Sequence, residues 1–148
     1  MNVLQTNLRI AAFGGPSGSG KTTLISGLIR RYRSEGRSVA VIKHTHHPID
    51  GAPRGDTEIF RRSGADPVIL AGDGLASLYT GCDEKQLMFS SPGELLFHIE
   101  TGILLIEGFR EWVGIPRLTL DASFYREPGD VAAILDRIWT EGGSHCTI

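Results

Sequence analysis

Residues Gly15-Pro16-Ser17-Gly18-Ser19-Gly20-Lys21-Thr22 fit the pattern G-x-x-x-x-G-K-[ST] without a mismatch. The motif is meaningful only where a strand leads into it and a helix leads out, so it constrains the fold on both sides. Leu8 to Phe13 (LRIAAF) is a short apolar run suited to a buried strand. Beyond the motif, Leu24, Ile25, Leu28, Ile29 and Tyr32 recur at helical spacing. Small residues between Gly15 and Gly20 let the backbone curl until its N–H groups point inward as an anion nest. The amino end of the following helix adds partial positive charge. Phosphates are the expected ligand of Gly15 to Thr22, together with the adjoining Thr23. Lys21 is expected to reach the β- and γ-phosphates and to take a catalytic role, and the Thr22 hydroxyl to ligate Mg²⁺.

The elements beyond the motif alternate. Gly36 stops the first helix, and Ser38 to Lys43 (SVAVIK) is a β-branched second strand. His44 to Gly55 is a polar loop, and Asp56 is placed to cap a helix over Thr57 to Arg62, ended by Gly64. Pro67 to Ala71 and Leu75 to Thr80, joined by Gly72-Asp73-Gly74, predict an antiparallel hairpin. Asp83 to Phe89 and Gly93 to Glu100 read as helical. Ile103 to Ile106 is the most apolar strand and should be central. Arg117 to Leu120 is a further strand, Val131 to Trp139 a closing helix, and 142–148 a tail without pattern, expected to be disordered. The order predicts one α/β domain over 1–148: a P-loop NTPase-like three-layer α/β/α fold, with a mostly parallel sheet and an antiparallel hairpin.

Ligands in such folds bind at the carboxyl ends of the strands, and two more groups of residues fall there. Glu107-Gly108 directly follows the central strand, where a carboxylate can meet Mg²⁺ and serve catalysis. Glu reaches one methylene further than the more usual Asp, which favours a water-mediated contact; a strand-end acid facing solvent is the plain alternative. Lys43-His44-Thr45-His46-His47 follows the second strand. It reads as a loop for the γ-phosphate or an anionic substrate, as a solvated polar loop, or as a metal site, although its spacing matches no structural zinc pattern. Asp56 reads as an N-cap, a Mg²⁺ contact, or both. Arg61 and Arg62 read as phosphate contacts or as an exposed basic face.

Charge and composition narrow the partners. A formal net charge of −2 gives no support for nucleic acid, and no apolar run is long enough to span a membrane. Cys82 and Cys146 share no metal-like spacing and read as free thiols. The amino-terminal MNVLQTN lacks a signal-peptide layout, so the expected location is the cytoplasm.

GPSGSGKTT, KHTHH, RGDTEIFRRSGAD and LLIEGF, in that order over Ile10 to Phe109, resemble the MobB family, molybdopterin-guanine dinucleotide biosynthesis protein B. The resemblance implies a GTP-binding protein with weak Mg²⁺-dependent GTPase activity, usually a homodimer. It further implies that the chain assists a MobA-like guanylyltransferase acting on molybdopterin. Carried over, Gly15 to Thr22 hold the phosphates, Lys43 to His47 and Asp56 line the site, and Glu107 takes the metal-side acid position. The chain departs from the family pattern after Pro116 to Asp121: no second apolar strand follows, and no Asn-Lys-x-Asp tetrad is present to read guanine. ATP therefore stands beside GTP as a ligand. A small-molecule kinase and a metal-delivery P-loop NTPase using His44, His46 and His47 are the alternative functions. No Gln or Arg is identifiable as a water-positioner or arginine finger, so any hydrolysis is expected to be slow.

Overall fold

A computed structural model describes residues 8–16, 18–46, 55–100, 102–119 and 126–141, and the backbone of 145–147. In it the apolar runs of the sequence lie side by side in one eight-stranded sheet. Strand β1 (Leu8–Gly14) leads through the glycine-rich loop into helix α1 (Lys21–Ser34) and then β2 (Val39–His44). Helix α2 (Asp56–Ser63), β3 (Val68–Ala71), β4 (Leu75–Thr80) and β5 (Asp83–Met88) follow. A 3₁₀ segment (Pro92–His98) then precedes β6 (Gly102–Glu107), β7 (Arg117–Thr119), α3 (Pro128–Glu141) and β8 (His145–Thr147). Across the sheet the order is β5-β4-β3-β2-β6-β1-β7-β8, with β4 antiparallel to both its neighbours and all other pairings parallel. The mostly parallel α/β sheet with an antiparallel hairpin matches the sequence-based expectation. Chain connections leave β1 towards β2 on one side, while β7 pairs on the other, which opens a crevice at the carboxyl end of β1.

Alternation along the buried strands divides the core in two. Ala11, Phe13, Val39, Val41, Ile103 and Leu105 pack with Leu24, Ile25 and Leu28 of α1, Phe60 of α2, and Val131 and Leu135 of α3. Ala12, Ala40, Ile42, Leu104 and Ile106 face the other way, towards Leu95, Leu96, Ile99, Phe109 and Ile115. Each fully buried Leu or Ile contributes about 1.5–3 kcal/mol to this packing. All three α-helices of the described residues therefore lie on one face. The opposite face is covered by the 3₁₀ segment and by the residues around Phe109 and Ile115.

Close approaches fix two of these relationships. A Cβ on Gly27 of α1 would stand 2.5 Å from Pro128 Cγ at the start of α3, so the two helices meet there over a missing side chain. A Cβ on Gly102 would stand 2.6 Å from the Ser38 carbonyl oxygen, and Gly102 also has φ 123°. Only glycine starts β6 against the entry to β2 in this way.

Three expectations are corrected. Residues 83–88 form β5, not a helix, paired to β4 across Gly81-Cys82 with Gly81 at φ 56°. Only Leu87 of β5 is buried, so the strand lacks the alternation that marks one in sequence. The helix expected over 93–100 is the shorter 3₁₀ segment, opened by Pro92. Within the tail, His145–Thr147 pairs in parallel with β7, because an open sheet edge offers backbone groups that need partners. No helix among the described residues is long and apolar enough to cross a membrane.

Candidate functional site

Strand register decides which side chains meet. Glu107 lies opposite Phe13 of β1 and opposite Lys43 of β2, and paired residues of parallel strands emerge on one face. That face is the helical one, so Lys43 and Glu107 project towards α2. Lys43 Nζ donates to Glu107 Oε2 at 3.2 Å and also to Asp56 Oδ2 at the first turn of α2. Glu107 is only 6% exposed. Burial draws the Lys43 pKa down, but the Asp56 hydrogen bond and the charges of Glu107 and Asp56 outweigh it and hold the pKa above its ordinary 10.5. Asp56 is not the N-cap of α2. Gly55 stands at that position, and the Asp56 carboxylate is engaged with Lys43, which offers a charged donor in place of a neutral N–H.

The glycine-rich loop closes over the amino end of α1. Ser19 N donates to Pro16 O at 3.1 Å, and Gly18 and Gly20 hold φ of 80° and 90°, a region that a side chain would strain. Lys21 Nζ donates to Gly15 O at 2.6 Å, tying the helix start back to the loop. Helix α1 has no side-chain cap and no acid in its first turn, so its leading N–H groups and the positive end of its dipole remain for an anion. Ser19 Oγ is buried without a hydrogen-bond partner among the described residues.

Loop and strand ends border one cleft of about 940 Å³, lined by Gly15, Gly18, Gly20, Lys21, Thr22, Thr23, Lys43, His44, His46, Asp56 and Glu107. The sequence-selected residues within the described part thus converge, with Pro16 and Ser19 shaping the loop. Ser17 and His47 lie outside the described residues. Arg61 and Arg62 do not join the cleft. Arg61 donates to the Gly81 carbonyl at 2.7 Å, and Arg62 pairs with Glu58 at 3.1 Å. The Thr22 hydroxyl and the Asp56 and Glu107 carboxylates are all oxygen donors, which is the chemistry a hard cation such as Mg²⁺ takes.

Two residues were missed in sequence. Phe109, at φ 52°, lines the cleft and stacks its ring on His44 with centroids 4.1 Å apart and planes 6° from parallel. Arg117 of β7 donates to the carbonyls of Gly108 at 2.9 Å and of Phe109, holding the chain that follows Glu107. The aromatic directly after Glu107-Gly108 was a visible signal for the first. Nothing local marks Arg117, whose partners lie eight and nine residues away.

The sequence model of the family described as "MobB: Molybdopterin guanine dinucleotide synthesis protein B" matches residues 10–127. The "Molybdopterin-guanine dinucleotide biosynthesis adapter protein" of Escherichia coli (strain K12) is 33% identical over 108 residues, covering 72% of this chain and 62% of the relative. The protein of the same name from Haemophilus influenzae is 32% identical over 129 residues, 85% of this chain and 71% of the relative. The chain therefore spans less than two thirds of the length of the Escherichia coli protein. Among solved structures, Bacillus subtilis MobB is 25% identical with a TM-score of 0.47, over 84% of this chain and 72% of that one. A MobB homolog from Bacillus stearothermophilus is 22% identical with a TM-score of 0.43, over 76% and 63%.

Proposed function

We infer the function from two facts taken together: the chain belongs to the MobB family, and its glycine-rich loop opens onto a cleft floored by Lys43, Asp56 and Glu107. The proposed activity is binding of a guanine nucleotide as its Mg²⁺ complex, with slow hydrolysis at most. The proposed role is that of an accessory protein in molybdopterin guanine dinucleotide synthesis. Molybdopterin or its guanine dinucleotide, a MobA-like guanylyltransferase and a second copy of the chain are the partners this role entails.

The observation that carries the reading is the convergence of an uncapped helix start, Lys21 and a buried acid in one cleft. Backbone N–H groups of the loop and of early α1 would bind the phosphate chain, and the orphan Ser19 hydroxyl offers one further contact. Lys21 would place its charge between the β- and γ-phosphates. Thr22 and Glu107 would hold Mg²⁺, which when bound supplies neutralisation of the charge on the transferring phosphate. Lys43 orients Glu107 by donating to one of its carboxylate oxygens at the edge of the cleft. Among the described residues, Arg110 in the segment after Phe109 is the arginine that lines the cleft.

Isothermal titration with Mg²⁺ and either GTP or ATP tests the base. Saturable GTP binding with weaker ATP binding is expected, and a firm preference for ATP would overturn the guanine assignment. Glu107→Gln is expected to lose Mg²⁺-dependent phosphate release while keeping most of the nucleotide affinity. Hydrolysis at the parent rate would remove Glu107 from the metal.

A further inference from the structure

We propose that His44, His46 and Asp73 form a site for a divalent transition-metal ion of the Zn²⁺ type at the edge of the cleft that His44 and His46 also line. One ring nitrogen from each histidine and a carboxylate oxygen of Asp73 all lie within 4.8 Å of one another, with His44 Nε2 and Asp73 Oδ1 at 3.7 Å. Ligand atoms bound tetrahedrally at about 2.0–2.1 Å from an ion stand roughly 3.3 Å apart. The set therefore closes onto an ion by a contraction of up to about 1.5 Å.

The three residues are unequal in a way that suits such closure. The His44 side chain is 6% exposed, clamped between the Phe109 ring and the backbone at Gly108, where an added Cβ would come within 3.0 Å of the His44 Cβ. It is a ligand with a preset ring plane. His46 and Asp73 are exposed and free to move onto the ion. The backbone holds both within reach. Thr45 N donates to Ala71 O at 2.8 Å, which extends the β2–β3 pairing one step past His44. Gly72 N donates to Leu75 O at 2.8 Å, closing the turn that carries Asp73. The His44 and His46 rings meet edge to face at 4.8 Å, as residues two apart in an extended chain share one face.

Sidedness separates this site from the oxygen-donor group. Lys43 and Glu107 share the helical face, whereas His44 packs with Phe109, which belongs to the core on the other face. Donor chemistry separates them too. Two imidazoles and one carboxylate with an open position suit Zn²⁺, Co²⁺ or Ni²⁺, while Mg²⁺ takes oxygen ligands.

The test uses the untagged full chain, stripped with chelator and free of nucleotide, in a Cys82→Ser, Cys146→Ser background that removes competing thiols. Its outcome is therefore independent of the nucleotide reading. Calorimetric titration should show one Zn²⁺ per chain, undiminished by excess Mg²⁺. Outer partners alone change metal affinity by about 10–100-fold, so loss of a ligand in His46→Ala or Asp73→Asn should weaken binding by about tenfold or more. Both positions are exposed, and an unchanged circular dichroism spectrum would show that the fold survives. Substitution with Co²⁺ should give visible absorption that both variants lose. Zn²⁺ binding that is absent, displaced by Mg²⁺, or unaltered in both variants would overturn the site.

Discussion

Lys43 is the residue on which the stability and the chemistry of the cleft meet. It stands against two carboxylates, one of them in Glu107, which is nearly buried. Removing one partner of a buried pair typically costs about 3–5 kcal/mol, because the other charge is left without compensation. Lys43→Met is expected to lose about 3 kcal/mol in urea denaturation, towards the low end because Asp56 keeps access to water. Adding Glu107→Gln to it should recover much of that loss; equal destabilisation in the single and double variants would show that the pair is not coupled. The pH dependence has a definite sign. Since the folded pKa of Lys43 lies above its ordinary 10.5, its contribution is complete below about pH 10.5 and fades as pH rises through the folded value. The parent protein should therefore lose stability in alkali more steeply than Lys43→Met, as read by thermal melts across pH 9 to 12. Lys21→Ala acts on the ligand instead. A charge-assisted contact is worth about 1.5–3 kcal/mol, so nucleotide affinity should fall roughly 10- to 150-fold.

Helices α1 and α3 are held together across Gly27 and Pro128. Gly27→Ala gains up to about 1 kcal/mol of helix propensity, but it drives a methyl into a rigid ring, and overpacking costs about 1–3 kcal/mol. Net destabilisation is expected in chemical denaturation, and a stabilised variant would mean that the helices part there at no cost. Neither Gly27 nor Pro128 carries a local signal of this contact, which is typical of what sequence concealed. The elements with strong periodicity, β1, α1, β2 and β6, were legible because their burial pattern is written in residue type. Strand β5 was not, since its DEKQ run faces solvent on both sides and pairs through backbone groups that every residue has. The site divides in the same way. Lys21, Lys43, Asp56 and Glu107 stood at strand ends or helix starts, where topology concentrates function. The Lys43–Asp56 pairing, the Phe109 stack and the Arg117 clamp depend on side-chain reach between elements, so the sequence leaves Asp56 open as an N-cap, a Mg²⁺ contact or both, whereas its carboxylate engages Lys43 of a neighbouring strand.

For the molecule as a whole, ligand binding and folding are linked. Mg²⁺ with GTP at one hundred times its dissociation constant should stabilise the native state by about 2.7 kcal/mol. For a chain of 148 residues this raises Tm by roughly 5–10 °C. Scanning calorimetry with GTP and with ATP would read both the binding and its base preference, and no shift with either would count against a nucleotide site. The fit of Gly102 against Ser38 has a consequence at this same scale. Strand β6 is apolar on both faces, so polarity alternation does little to distinguish one register from the next. A slide of one residue would keep a well-buried sheet, yet it would set Ile106 opposite Lys43 in place of Glu107. The glycine contact at one end of β6 and the ion pair at the other act as two stops on a ruler. What they protect is less the stability of the sheet than its alignment: the position of the acid in the cleft is measured from a glycine at the opposite end of the strand.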